Sequence, residues 1–215
     1  LKACSSTGAI DMGKQIHGEV TDRGLQEKDI SLGNALVDMY AKCGRLEKAQ
    51  EVLEELPFRD VVSWSALVAG YAEQGQGQEA VRCLEHMKSE GLSPNRVTFL
   101  SVLSACSHGG LLNEAQMLYT NMTRQLIIAP NTEHHMCMVM VFGLAGHFDD
   151  AMSVIRVMPS SHYPTLWLAL LGVCKKWGNV KLGRLVFSQT MQLDDSCSAA
   201  YVLMSNIFGA AGLQK

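Results

Sequence analysis

His134, His135 and Cys137 form the densest set of potential metal ligands in the chain. His134 and Cys137 stand three residues apart, a spacing that puts both on one face of a helix and lets them offer two ligands. Structural zinc takes four, and neither a third nor a fourth is at hand, so no metal is expected. His17-Gly18-Glu19 has the H-x-E spacing with which zinc deaminases supply one ligand and a general acid/base. The P-C-x-x-C that completes such a centre does not follow anywhere. The seven cysteines, Cys4, Cys43, Cys83, Cys106, Cys137, Cys174 and Cys197, are odd in number and hold no C-x-x-C pair. They read as buried thiols of a reducing compartment, not as a disulfide framework or a zinc module. Ser-His-Asp, P-loop and G-x-G-x-x-G patterns are missing, and Gly75-Gln76-Gly77 reads as a turn between helices. The expectation is a chain without catalytic residues or cofactor.

Charge adds little by itself. The formal net charge is −3 over 215 residues, which gives no global electrostatic case for a nucleic-acid partner. No apolar run approaches the 18 or more residues of a membrane span, so no membrane partner is expected. The first residue is Leu1 and no charged and apolar leader precedes the patterned sequence. A targeting segment is therefore expected to be absent or cut away.

The elements that would carry any site come from an internal echo. NALVDMYAKCGRLEKAQ (34–50) and SALVAGYAEQGQGQEAV (65–81) share Leu, Val, Tyr, Gly and Ala in matching columns. Followed along the chain, the glycine recurs as Gly8, Gly44, Gly75, Gly110, Gly146, Gly178 and Gly212, at intervals of 36, 31, 35, 36, 32 and 34 residues. Five residues after each of the first six comes a small side chain: Gly13, Ala49, Ala80, Ala115, Ala151 and Gly183. A period in the mid-thirties marks stacked helical pairs. Val62, Trp64, Leu67, Val68 and Tyr71 before Gly75, and Ala80, Val81, Leu84 and Met87 after it, keep helical spacing and predict two amphipathic helices. The glycine should end the first helix in a left-handed conformation. The small residue should let the second helix approach closely, and Pro57, Pro94, Pro130 and Pro159 should close the second helices. The twelve methionines read as adaptable core filling. Such units cannot bury their apolar faces alone, so they must stack into a spiral whose long concave surface is the natural binding site.

DVVSWSALVAGYAEQGQGQEAVRCLEHMKSEGLSPN (60–95) resembles the plant pentatricopeptide repeat, and its neighbours resemble the long and short variants of that family's organellar RNA-editing branch. In this register residues 1–29 (LKACSSTGAIDMGKQIHGEV at their start) resemble a truncated long repeat, 30–60 a short one, 61–95 a standard one, 96–131 (RVTFLSVLSACSHGGLLNEA) a long one and 132–163 a short one. LWLALLGVCKKWGNVKLG (166–183) and AAYVLMSNIFGAAG (199–212) resemble the extension motifs that follow the last repeat, with units taken as 164–197 and 198–215. The resemblance implies an all-α, right-handed α-solenoid. It also implies that the chain binds single-stranded organellar RNA, one base per repeat, as a specificity factor for RNA modification, specifically C-to-U editing in mitochondrion or chloroplast. Catalysis would come from a domain beyond Lys215 or from an editing-complex protein recruited through 164–215.

The resemblance also assigns residues. Bases would be read by the fifth residue of each first helix together with the last residue of the unit: Asn34 with Asp60 for uracil, Ser65 with Asn95 for adenine. Ser31 and Val62 would pack on the base faces, and Lys42 would face phosphate. Two units depart, offering Leu100 with Asn131 and Met136 with Tyr163, which are not usable hydrogen-bonding pairs. Glu73 and Leu144 stand where a cation would be needed, so affinity should be modest. Asp60 and Asn95 are equally the residues favoured as helix caps after a proline-bearing turn, and Asn34 and Ser65 are equally ordinary polar residues near a helix start. A protein-binding scaffold of the tetratricopeptide kind is the competing reading of the whole.

Overall fold

The computed structural model describes residues 1–25, 29–158 and 163–212, with Tyr163 described by its backbone only. The expected role of Pro159, and that of the Tyr163 side chain, lie outside the described residues. All regular structure among the described residues is helical. First and second helices alternate: α1 (Lys2–Thr7), α2 (Ile10–Asp22), α3 (Ile30–Lys42), α4 (Leu46–Glu55), α5 (Val61–Glu73), α6 (Gly77–Ser89), α7 (Arg96–Gly109), α8 (Leu112–Thr120), α9 (Thr132–Leu144), α10 (Phe148–Arg156), α11 (Tyr163–Trp177), α12 (Val180–Leu193) and α13 (Ser198–Ala210). A short π-helical turn, Asn121–Gln125, extends α8.

The repeat columns explain the joints. All seven recurring glycines have positive φ, from 61° at Gly178 to 82° at Gly146, the left-handed conformation that costs glycine least. The small residues five places on are fully buried where they are alanine: Ala49, Ala80, Ala115 and Ala151. At Gly13 a methyl group would come within 2.5 Å of Met39 Sδ, so it would fit only if the end of that side chain moved aside. The tyrosine column links neighbours. Tyr40 on α3 meets His17 on α2 at 3.0 Å, and Tyr71 on α5 donates to Gln50 on α4 at 3.0 Å. Each ties a first helix to the second helix of the preceding unit.

The first helices α1, α3, α5, α7, α9, α11 and α13 pack side by side in unbroken order. Each second helix packs on its own first helix and on the next one, and hardly on another second helix. A layer whose members touch lies inside the curve, and one whose members are splayed lies outside it, so the molecule is an α-solenoid with the first helices on the concave side. Between the layers one core runs the length of the described chain, from Cys4 to Ile207. Met39, Met87 and Met122 are completely buried in it, as expected of adaptable filling.

Three expectations need correction. Pro94 does not close α6, which ends at Ser89 and reverses at Gly91 with φ 79°; the proline precedes the Asn95 cap of α7 instead. Pro130 likewise does not close α8, whose π-helical extension ends at Gln125, and precedes the Asn131 cap of α9. Val62 does not join the buried stripe of α5: it is 59% exposed, while Trp64, Leu67, Val68 and Tyr71 are buried.

Candidate nucleic-acid interface

On a helix, residues at the second, fifth and thirteenth positions fall on one face, because steps of three and eleven residues return near the same direction at 100° each. On α3 that face carries Ser31, Asn34 and Lys42; on α5, Val62, Ser65 and Glu73; on α7, Val97, Leu100 and His108. Since the first helices form the inner layer, these faces line the concave surface.

Asp60 sits immediately before α5, with its carboxylate as the helix cap. Oδ1 accepts from Val62 N at 2.9 Å and Ser63 N at 2.8 Å, and the Asp60 N–H donates to Ser63 Oγ at 2.8 Å. This is a capping box, which satisfies donors left over at the helix start. The same carboxylate reaches across to the preceding first helix: Asn34 Nδ2 donates to Asp60 Oδ1 at 3.1 Å and to Oδ2 at 3.4 Å. A carboxylate only accepts, so the amide must present its NH₂ to Asp60. Asn34 Oδ1 is thereby turned away, and it is buried without a partner. Leaving a buried acceptor unpaired costs about 1–3 kcal/mol.

The second pair is joined through an intermediary. Asn95 caps α7, its Oδ1 accepting from Thr98 N at 3.0 Å and from Thr98 Oγ1 at 3.1 Å. Ser65 does not touch Asn95; its hydroxyl meets Thr98 Oγ1 at 2.8 Å. With Thr98 donating to Asn95, Ser65 donates to Thr98, and the relay leaves the Ser65 lone pairs and the Asn95 NH₂ unused. Capping and a place on the concave face are compatible, because the cap uses one side-chain oxygen only. Thr98 is fully buried and escaped the sequence reading, where it looks like a plain capping-box residue.

The departing units are built differently. Asn131 caps α9, but its amide is committed on both sides: Nδ2 donates to Glu133 at 3.2 Å and Oδ1 accepts from His134 N at 3.1 Å. Leu100 opposite it has no polar atom. Met136 is half-buried on α9.

Ser31 and Val62 are both exposed. Ser31 Oγ donates to Asp29, the cap of α3, which leaves it a small polar surface. Val97, the second residue of α7, is 62% exposed, so two apolar side chains one unit apart flank the Ser65–Thr98–Asn95 relay. The column position alone could have pointed to Val97. Lys42 is bound to Asp38, one turn earlier, at 2.8 Å. An open groove of about 570 Å³ between α5 and α7 continues along this face, lined by Glu73, Leu100, Ser104 and His108 among others.

The metal-like clusters are spoken for. His135 Nδ1 donates to Asn131 O at 2.7 Å and Nε2 accepts from Tyr119 at 3.1 Å. His134 donates Nε2–H to Arg96 O at 3.0 Å and turns Nδ1 to Asn131. Burial holds the His134 imidazole below its ordinary pKa and pushes the Cys137 thiol up to about 11. His17, bonded to Tyr40, is held low mainly by burial.

Comparison with known sequences follows the same register. The sequence model of the PPR repeat family matches residues 59–108, and that of the PPR repeat matches 34–61, 97–125 and 134–163. A putative pentatricopeptide repeat-containing protein of Arabidopsis thaliana is 42% identical over 213 residues, covering 97% of this chain and 42% of that protein. The Arabidopsis protein CRR2, chloroplastic, is 40% identical, over 98% of this chain and 32% of its own length. A mitochondrial pentatricopeptide repeat-containing protein of the same plant is 37% identical, over 99% and 38%. The chain thus spans well under half of these relatives. Among solved structures, the maize repeat protein PPR10 covers 98% of this chain with 36% of its own, at a TM-score of 0.60 and 21% identity. PPR10 in complex with an 18-nt psaJ RNA element gives a TM-score of 0.74 at 19% identity, over 97% of this chain and 31% of that one. These are repeat proteins, and nothing in the likeness assigns this chain an enzymatic activity. With repeat matches in succession and relatives of about 40% identity along nearly its whole length, the chain belongs to the pentatricopeptide repeat family.

Proposed function

We propose that the concave face binds single-stranded RNA and reads U then A, 5′ to 3′ in chain order, through Asn34 with Asp60 and Ser65 with Asn95. The observation that carries the proposal is the Asn34 amide, whose NH₂ is pinned to Asp60 while its buried Oδ1 is unpaired. Once the Asn34 side chain turns to uncover it, that acceptor suits the imino N3–H of uracil, and binding would remove the cost of the unpaired atom. The second pair suits adenine: Ser65 can accept from the exocyclic N6–H₂, and the Asn95 NH₂ can donate to N1. Ser31 and Val62 would lie against base faces. Lys42 would have to leave Asp38 to reach phosphate. The units carrying Leu100 and Met136 would support the spiral and leave their bases unread.

The wider role follows from the resemblance of 166–183 and 199–212 to extension motifs. We take the chain as the targeting portion of a factor for organellar RNA modification, C-to-U editing in particular, with the chemistry supplied downstream or by a partner docked at 164–215. Relatives named chloroplastic and mitochondrial support an organelle without choosing between the two.

The test is a gel-shift titration with RNAs carrying UA or scrambled bases at the facing positions. Tighter binding of UA is expected, and Asn95→Asp should shift the second preference from A toward G, because a carboxylate accepts from guanine N1–H and N2–H₂ but cannot donate to adenine N1. Equal affinity for every sequence would sink the assignment. Absence of RNA binding together with retention of a peptide ligand would favour the scaffold reading instead.

A further inference from the structure

The turn between α11 and α12 has a charge pattern unlike the rest of the chain. From Asp150 to Asp194 the sequence carries Arg156, Lys175, Lys176, Lys181 and Arg184 and no carboxylate, within a protein of net charge −3. Lys175, Lys176 and Lys181 are exposed, and none takes part in an ion pair among the described residues. Arg184 is engaged elsewhere, 5.2 Å from the centroid of Phe208. The nearest acids in register, Asp149 and Asp150, begin α10, where Asp150 faces His147 at 3.3 Å.

The glycine register gives this turn the place on its unit that Lys42 has on α3. Lys42 stands two residues before the left-handed Gly44, and Lys176 stands two before the left-handed Gly178. Lys42 is neutralised by Asp38 four residues earlier, whereas Lys176 has Gly172 in that place. Between Lys176 and Gly178 is Trp177, 52% exposed, whose indole N–H donates to Gly143 O at 3.0 Å and whose ring lies against Gly146. The ring is thus fixed over the preceding turn with its polar edge satisfied and an apolar face open to solvent.

We propose that Lys175, Lys176, Lys181 and Trp177 form a second RNA contact, which holds the strand 3′ of the read bases by phosphate pairing and by stacking one base on Trp177. Free cations beside a pre-positioned aromatic face are what non-selective single-strand binding uses; an acidic protein would answer the charge but leave the ring without a role. The proposal rests on the RNA reading above. At one base per unit, the α11 unit lies three nucleotides beyond the adenine position.

The test compares RNAs that end at UA with RNAs extended by four nucleotides at the 3′ end. The unaltered chain should gain affinity from the extension, and Lys175→Gln/Lys176→Gln/Lys181→Gln should lose that gain. The triple variant should also lower the slope of log K against log salt by about 2, at about 0.7 per phosphate contact on single strands. Trp177→Leu, which keeps an apolar cover over Gly146 without an aromatic face, should weaken binding of the extended RNA by roughly fivefold or more. UA preference must survive in all variants. If the chain selects UA but neither the extension nor the lysines matter, this contact is wrong while the reading of bases stands. If no RNA binds at all, both fall. Unchanged RNA binding with loss of a poly-aspartate interaction in the triple variant would overturn the RNA contact in favour of an acidic protein.

Discussion

Asp60 holds two jobs in one carboxylate, and substitution can separate them. Asparagine caps helices about as well as aspartate, so Asp60→Asn should keep α5 capped and change stability by less than about 1 kcal/mol. It should blunt the preference for U while leaving the salt slope alone, because an amide no longer dictates which way Asn34 turns. Asp60→Ala removes the acceptor of Val62 N and Ser63 N and also the partner of Asn34. The lost cap and the stranded amide together should cost about 2–4 kcal/mol, measured by thermal or denaturant unfolding beside gel shifts. At this scale the columns made Asn34 and Asp60 legible, since both functions choose the same residue types at the same places. Thr98 was not legible: its part in joining Ser65 to Asn95 depends on two helix starts meeting side by side, a distance that no column records.

Among the elements, legibility followed the strength of the steric demand. A left-handed turn and a close helix contact each admit few residues, so the glycine and alanine columns located every first-to-second helix joint. Pro57 does follow the end of α4, but the ends of α6 and α8 lie elsewhere than their prolines, because Pro94 and Pro130 announce the starts of α7 and α9. The tight contacts differ in rigidity, and this gives a contrast to measure. A Cβ on Gly70, within α5, would come 2.6 Å from Ala41 Cβ and 3.3 Å from Ala41 Cα. Neither atom can swing aside, so α3 and α5 would have to separate. A Cβ on Gly13 meets the end of the Met39 side chain, Sδ and Cε, which can rotate. Alanine gains about 1 kcal/mol over glycine inside a helix, while overpacking costs about 1–3 kcal/mol. Gly13→Ala should therefore be near neutral, and Gly70→Ala should destabilise by about 1–2 kcal/mol and shift the midpoint of urea unfolding. The reverse order would contradict this account of the α3–α5 contact.

For the whole molecule, the buried thiols are spread along the core and make its stability a matter of pH. Cys83 on α6 and Cys106 on α7 are both buried. Burial, with smaller help from Glu79 and Glu114 respectively, pushes each up to about 12 from an ordinary value of 9.0. A group whose folded pKa is raised keeps its proton in the folded chain while the unfolded chain releases it. Stability from these sites is therefore intact below about pH 9 and declines as pH rises toward 12. At pH 10 each of the two should have lost about 1 kcal/mol relative to neutral solution. A solenoid transmits such local losses through nearest neighbours only, so the α5–α7 region should loosen before α1–α3. Melting curves at pH 7, 9 and 10 should fall less steeply with pH in Cys83→Ala/Cys106→Ala than in the unaltered chain, whatever the variant's stability at pH 7. The same burial predicts that at pH 8 a maleimide should label the half-buried Cys43 and Cys197 well before Cys83 or Cys106. Equal labelling of all four in the folded chain would mean that the interior around α6 and α7 opens far more readily than its packing indicates.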